Sequence, residues 1–134
     1  MSKERFAERQ ADVARAVARL QEAVAVPADG LVRDAVIQRF EFSFELVWKT
    51  LKLYLERQGV EAGGPRPTLK KAFAEGLIPT AEEADLWLQM VEDRNLTSHA
   101  YDEALAAGIH RNVVRDYAPL LGAMAARIQA LSWD

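Results

Sequence analysis

Cysteine is absent from this sequence, and histidine nearly so: His99 and His110 are the two among 134 residues. Disulfides and thiolate metal sites are therefore excluded outright, and a histidine-rich metal cluster cannot be assembled. An all-carboxylate magnesium site is the one metal option left; we expect neither metal nor cofactor. Long apolar runs are missing too. Nothing approaches the roughly 18 residues needed to cross a bilayer, and the opening MSKERFAERQ is charged where a secretion signal carries an apolar stretch. A cytoplasmic location is expected. Nor is positive charge in excess, since 17 Lys and Arg stand against 20 Asp and Glu for a net charge of −3. A nonspecific grip on nucleic acid backbones is not indicated by such a balance. Contact with RNA would have to be local, and neither DNA nor a membrane is an expected partner.

What the chain does have is apolar residues at helical spacing. Half of it is hydrophobic (50%), and a chain of this length can remove roughly 65–70% of its unfolded surface from water. One domain over residues 1–134 follows. Phe6, Val13, Val17, Leu20 and Val24 recur at spacings of three, four and seven, which predicts an amphipathic helix over 3–26. Pro27, Asp29 and Gly30 break that pattern, and a longer periodic segment over 31–58 ends at Gly59, just past the helix. After the loop VEAGGPRP, Thr68 is expected to cap a short helix through Glu75, stopped by Gly76. Thr80 starts another helix, with Glu83 completing a capping box and Leu86, Trp87, Met90 and Val91 facing the core. Asp102 caps the last helix, which carries Leu105, Ile109, Val113, Leu120, Met124 and Ile128 to about Leu131, with a kink or split near Ala118 caused by Pro119. No alternating strand pattern, internal repeat or low-complexity segment is present. The expected fold is all-α, an antiparallel bundle of four main helices with one additional short helix.

The second helix carries two stripes. Phe40, Phe44, Val47, Leu51 and Leu55 form the stripe a bundle core needs. Ala35, Phe42, Leu46 and Leu53 form another on the far side, with Glu45, Lys49 and Glu56 along its border. Leaving Phe42 and Leu46 in water forgoes about 1.5–3 kcal/mol each, so this face is expected to meet a second copy of the chain, or else the short helix.

Residues 94–103, RNLTSHAYDE, hold the candidate chemistry. Asn, Thr, Ser and His are weak helix formers, so the fourth helix should loosen here and leave a polar cluster at a bundle end. On a regular helix Arg94 and His99 would stand about 140° apart, whereas Asn95 and His99 share a face at four-residue spacing. Two copies about a dimer axis would bring both arginines and both histidines into one cleft. Imidazole, with an unperturbed pKa of about 6.5, suits proton transfer near neutrality, and the planar guanidinium matches phosphate oxygens. Together they suit metal-free phosphodiester cleavage: His99 moves a proton at a ribose 2′-hydroxyl or at the leaving oxygen, Arg94 stabilises phosphate charge, and Asn95 orients either. The plain alternative pairs Arg94 with Glu92, Asp93 or Asp102 and leaves His99 to satisfy a helix end. Tyr101 reads by default as a half-buried ring with its hydroxyl at the surface, or else as a phenol displayed beside the cleft to stack on a base or accept a modification. Lys70 and Lys71 read as a solvated face and Trp48 and Trp87 as core, while GGPR at 63–66 lacks the rest of a phosphate-binding loop.

The run AVIQRFEFSFELVWKTLKLYLERQG at 35–59, followed by EDRNLTSHAYDE at 92–103, closely resembles the HepT-like branch of the HEPN superfamily, also described as nucleotidyltransferase substrate-binding proteins. The resemblance covers nearly the whole chain, and its hallmark falls on Arg94, Asn95, His99 and Tyr101. It implies a HEPN-like helical-bundle homodimer acting with a separately encoded minimal nucleotidyltransferase as a toxin and antitoxin pair. By that resemblance Arg94, His99 and, assisting, Asn95 are the metal-independent ribonuclease residues, and Tyr101 is where the partner transfers adenylate from ATP. A bulky group bearing negative phosphate beside Arg94 would occupy and neutralise the cleft. Two other classes stay open: a noncatalytic subunit that presents nucleotide or substrate to a nucleotidyltransferase, and a dimerising bundle with no ligand.

Overall fold

A computed structural model describes residues 2–134; Met1, the first residue of the expected domain, lies outside them. The chain forms α1 (Lys3–Val24), α2 (Gly30–Arg57), α3 (Pro65–Ala74) and α4 (Ala81–Leu96), then a 3₁₀ turn (Thr97–His99), α5 (Glu103–Asn112), a π-helical turn (Val113–Tyr117) and α6 (Ala118–Gln129). There is no strand among the described residues. None of the described helices is long and apolar enough to cross a membrane.

Side chains that reach across helices fix the directions. Ser43 Oγ donates to the Ala16 carbonyl and Arg39 to the Arg19 carbonyl, so α1 and α2 run antiparallel. Gln10 donates to the carbonyls of Ile128 and Leu131 while Gln21 donates to that of Ala118, which sets α6 antiparallel to α1. Arg94 meets Glu45 while Thr97, just past α4, lines a groove with Asp34 and Gln38, so α4 runs antiparallel to α2. The continuous rod of α5, π-turn and α6 is the fourth member of the bundle, and α3 is the additional short helix. The first stripe of α2 is its centre: Phe40, Phe44, Val47 and Leu51 are fully buried, and Leu55 nearly so.

Local signals set most of the ends. Asp29, Thr80 and Asp102 accept from the backbone N–H groups of Val32, Glu83 and Leu105, satisfying donors that a helix start leaves unpaired. At the end of α2, Gly59 has φ +85°, Gly59 N–H bonds to the Glu56 carbonyl and Val60 N–H to that of Leu55, the six-to-one closure that needs a left-handed residue. Gly76 closes α3 in the same way. The regular α-helical pattern of the last rod is interrupted ahead of Pro119. Proline cannot donate to the carbonyl four residues back and its ring crowds that carbonyl, and the chain answers with a π turn immediately ahead of Ala118.

Several expectations need correction. Thr68 does not cap the short helix; α3 starts three residues earlier, with Pro65 at a first position where a missing N–H is harmless, and Thr68 is buried inside it. Leu86, Leu105 and Leu120 are only half-buried. Trp87 is core, but Trp48 is half-buried and turns its indole N–H to Glu45. Lys70 is exposed as expected, whereas Lys71 is half-buried and reaches the Glu61 carbonyl. Trp133 was not foreseen in the core, yet it is buried, with its ring stacked on Phe6 at 4.5 Å.

Candidate functional site

The polar residues after Met90 and Val91 loosen the helix as their propensities predict. α4 stops at Leu96, and Thr97 Oγ1 donates back at 2.7 Å to the Arg94 carbonyl, which also accepts the Thr97 backbone N–H. One 3₁₀ turn follows, Asp102 N–H closes onto the His99 carbonyl at 3.0 Å, and the Asp102 side chain then caps α5. Thr97 and Asp102 thus spend their polar groups on the backbone. His99 and Tyr101 do not, and both project from the link into solvent.

Tyr101 is 83% exposed, which overturns its default reading as a half-buried ring. Its hydroxyl lies 3.2 Å from His99 Nδ1, and the two rings meet edge to face with centroids 5.9 Å apart. Asn95 is exposed on the last turn of α4. Arg94 points the other way, toward α2, where its Nε donates to Glu45 Oε1 at 2.7 Å. None of the anticipated acidic partners takes it. Glu92 pairs with Arg66, Asp102 caps α5, and Asp93 accepts from Asn112 and from the buried Tyr117 hydroxyl. Arg94 and His99 therefore have separate partners within one chain.

Two adjoining grooves run along α2 from Arg94 to Tyr101. One of about 470 Å³ holds Arg94 among Gln38, Glu41, Phe42, Glu45 and Leu46. The next, of about 260 Å³, shares Gln38 and Glu41 and runs on to Thr97 and Tyr101. Phe42 and Leu46, the second stripe of α2, are half-buried and form the apolar wall beside Arg94, so the short helix does not close this face. Among the described residues no three His, Asp or Glu side chains are grouped to hold a metal ion. The second histidine belongs elsewhere. His110 is half-buried in α5, and burial first, then the Arg33 cation, lower its pKa from the usual 6.5.

Residues 8–130 match the family model described as nucleotidyltransferase substrate binding protein like. The chain belongs to that family. A curated relative, the probable ribonuclease HepT of Haemophilus influenzae (strain ATCC 51907 / DSM 11121 / KW20 / Rd), is 32% identical over 90 residues, covering 63% of this chain and 59% of the relative. The chain thus spans less than two thirds of that curated relative's length. A crystal structure of a protein from Thermus thermophilus superposes with a TM-score of 0.80 at 40% identity, over 87% of this chain and 98% of the other. The all-α bundle is therefore shared with a solved structure of high similarity.

Neither Glu45 nor the Asp93 network was found from sequence. Glu45 lies 49 residues from Arg94, and the sequence pattern marks it only as a border residue of the second stripe.

Proposed function

We propose that this protein, as one HEPN-like helical domain, is a cytoplasmic metal-independent endoribonuclease toxin, silenced when a cognate minimal nucleotidyltransferase adenylylates Tyr101. The observation that carries the reading is the exposed His99 and Tyr101 pair, with imidazole and phenol 3.2 Å apart at a bundle end. His99 accepts the proton of a ribose 2′-hydroxyl; the 2′-oxygen attacks phosphorus, the bond to the 5′-oxygen breaks, and the leaving oxygen takes up a proton. Arg94 stabilises the charge gathering on the phosphate, and Asn95 assists in orienting it. A homodimer across the Phe42 and Leu46 face supplies the second histidine as the acid, because a two-fold interface repeats the same groups on each copy. In silencing, the Tyr101 oxygen attacks the α-phosphorus of ATP, pyrophosphate leaves and the phenolic proton is lost. The product carries a negative phosphodiester on the residue that touches His99.

The test compares wild type with His99→Ala on total RNA in the absence of metal, before and after treatment with the nucleotidyltransferase and ATP. His99 is exposed, so its removal should change stability by no more than about 0.5 kcal/mol, and lost cleavage is then lost chemistry. Cleavage is expected in wild type only, and adenylylation should suppress it. Intact RNA with unmodified wild type would overturn the proposal in favour of a noncatalytic nucleotide-binding subunit.

A further inference from the structure

An arginine presents five N–H donors in a rigid planar fork, and the direction of the fork depends on which donor is anchored. Arg94 is anchored at Nε, which donates to Glu45 Oε1 at 2.7 Å. Among the described residues this is the hydrogen bond its side chain makes. Glu45 is held in turn from its own helix: Trp48 Nε1 donates to Oε2 at 3.2 Å, and Lys49 Nζ stands 3.5 Å from the same oxygen. Both carboxylate oxygens are thus engaged, Oε1 by Arg94 and Oε2 from its own helix. Arg94 keeps 36% of its side-chain exposure in this position and lines the larger groove.

Resting on the ribonuclease reading above, we infer that Glu45 is a positioning residue for Arg94, holding the guanidinium through Nε so that its terminal N–H groups face the groove and grip the phosphate. A donor pair fixed in advance stabilises developing charge without reorganising during the reaction, which is where such a contact counts most. The half-buried Trp48 acquires a reason for its placement, since its indole N–H sets the carboxylate. Arg94 touches the substrate in this scheme; Glu45 acts through it.

The experiment measures kcat and KM separately for the unmodified protein on a short fluorogenic RNA oligonucleotide without metal, comparing wild type, Glu45→Ala, Glu45→Gln and Arg94→Ala. Glu45→Ala should lower kcat roughly tenfold to a hundredfold, with KM nearly unchanged, since misplacing a reacting group costs that much. Glu45→Gln should recover most of kcat, because its amide oxygen still accepts from Nε. Unchanged kcat in Glu45→Ala, or a Glu45→Gln as impaired as Glu45→Ala, overturns the inference. Wild type that leaves the oligonucleotide intact sinks the ribonuclease reading instead. The anchoring is decided apart from activity by the exchange rate of the Arg94 Nε–H in ¹⁵N spectra. Slow exchange is expected in wild type and Glu45→Gln and fast exchange in Glu45→Ala; equal rates in all three overturn the role of Glu45. Glu45→Gln also serves if Glu45→Ala fails to fold.

Discussion

The end of α4 that presents Arg94 is tied to the last rod through its neighbour Asp93, and removing one hydroxyl tests that tie. Tyr117 is fully buried, its ring stacked 5.4 Å from Phe40, and its hydroxyl donates to Asp93 Oδ2 at 2.6 Å. Asn112 donates to the same oxygen at 2.9 Å. Tyr117→Phe deletes one of these two donors and keeps the ring packing. A hydrogen bond to a charged group contributes about 1.5–3 kcal/mol, and Asp93 is only half-buried, so water replaces part of the loss and the lower end, about 1.5–2 kcal/mol, applies. With an unfolding entropy of about 2.1 cal/mol/K per residue, that lowers Tm by about 5–7 °C. Thermal unfolding followed by circular dichroism at pH 7 measures it. A second signature depends on pH. Burial first, then the hydrogen bond to Asp93, raises the Tyr117 pKa far above the usual 10.0. In the unfolded chain the phenol ionises as pH passes that value while the folded one stays protonated, so the unfolded state binds fewer protons and stability falls. Wild type should therefore lose stability more steeply than Tyr117→Phe above pH 10.0. A Tm change under about 2 °C, together with identical pH profiles, would refute the reasoning.

Two further perturbations reach the neighbourhood of the site. Asp102→Ala removes the side chain that caps α5 and should cost about 0.5–2 kcal/mol in urea unfolding; because Asp102 directly follows Tyr101, the same variant should also become more susceptible to proteolysis between α4 and α5. His110 is held below its usual 6.5 in the folded protein, so the unfolded state takes up the proton first as pH falls. The stability this histidine contributes is present above pH 6.5 and should be lost as pH drops below it. Urea midpoints from pH 7.5 to 5 should show that decline in wild type and a flatter one in His110→Asn.

Much of the site was legible because its signals are local. Weak helix formers after Val91 ended α4 where expected, and Asp102 restarted the chain as a cap. The orientation of individual side chains was less legible. Tyr101 has the composition of an amphipathic core residue, and only the short 3₁₀ link, which points it away from the bundle, decides that it is displayed. Trp48 likewise passes for core by type, and its indole N–H finds Glu45 only because both stand on one side of α2.

Helical periodicity, caps and glycine stops are properties of a few consecutive residues, so the sequence by itself determined where the main helices run, the buried stripe from Phe40 to Leu55 and the interruption before Pro119. The pairing of Arg94 with Glu45, the clasp of Tyr117 and Asn112 on Asp93, and the trough from Arg94 to Tyr101 belong to tertiary structure alone. Spacing says which face a residue occupies on its own helix. Which acid meets which cation depends on the register at which two helices pack, and that register is set by the whole core at once.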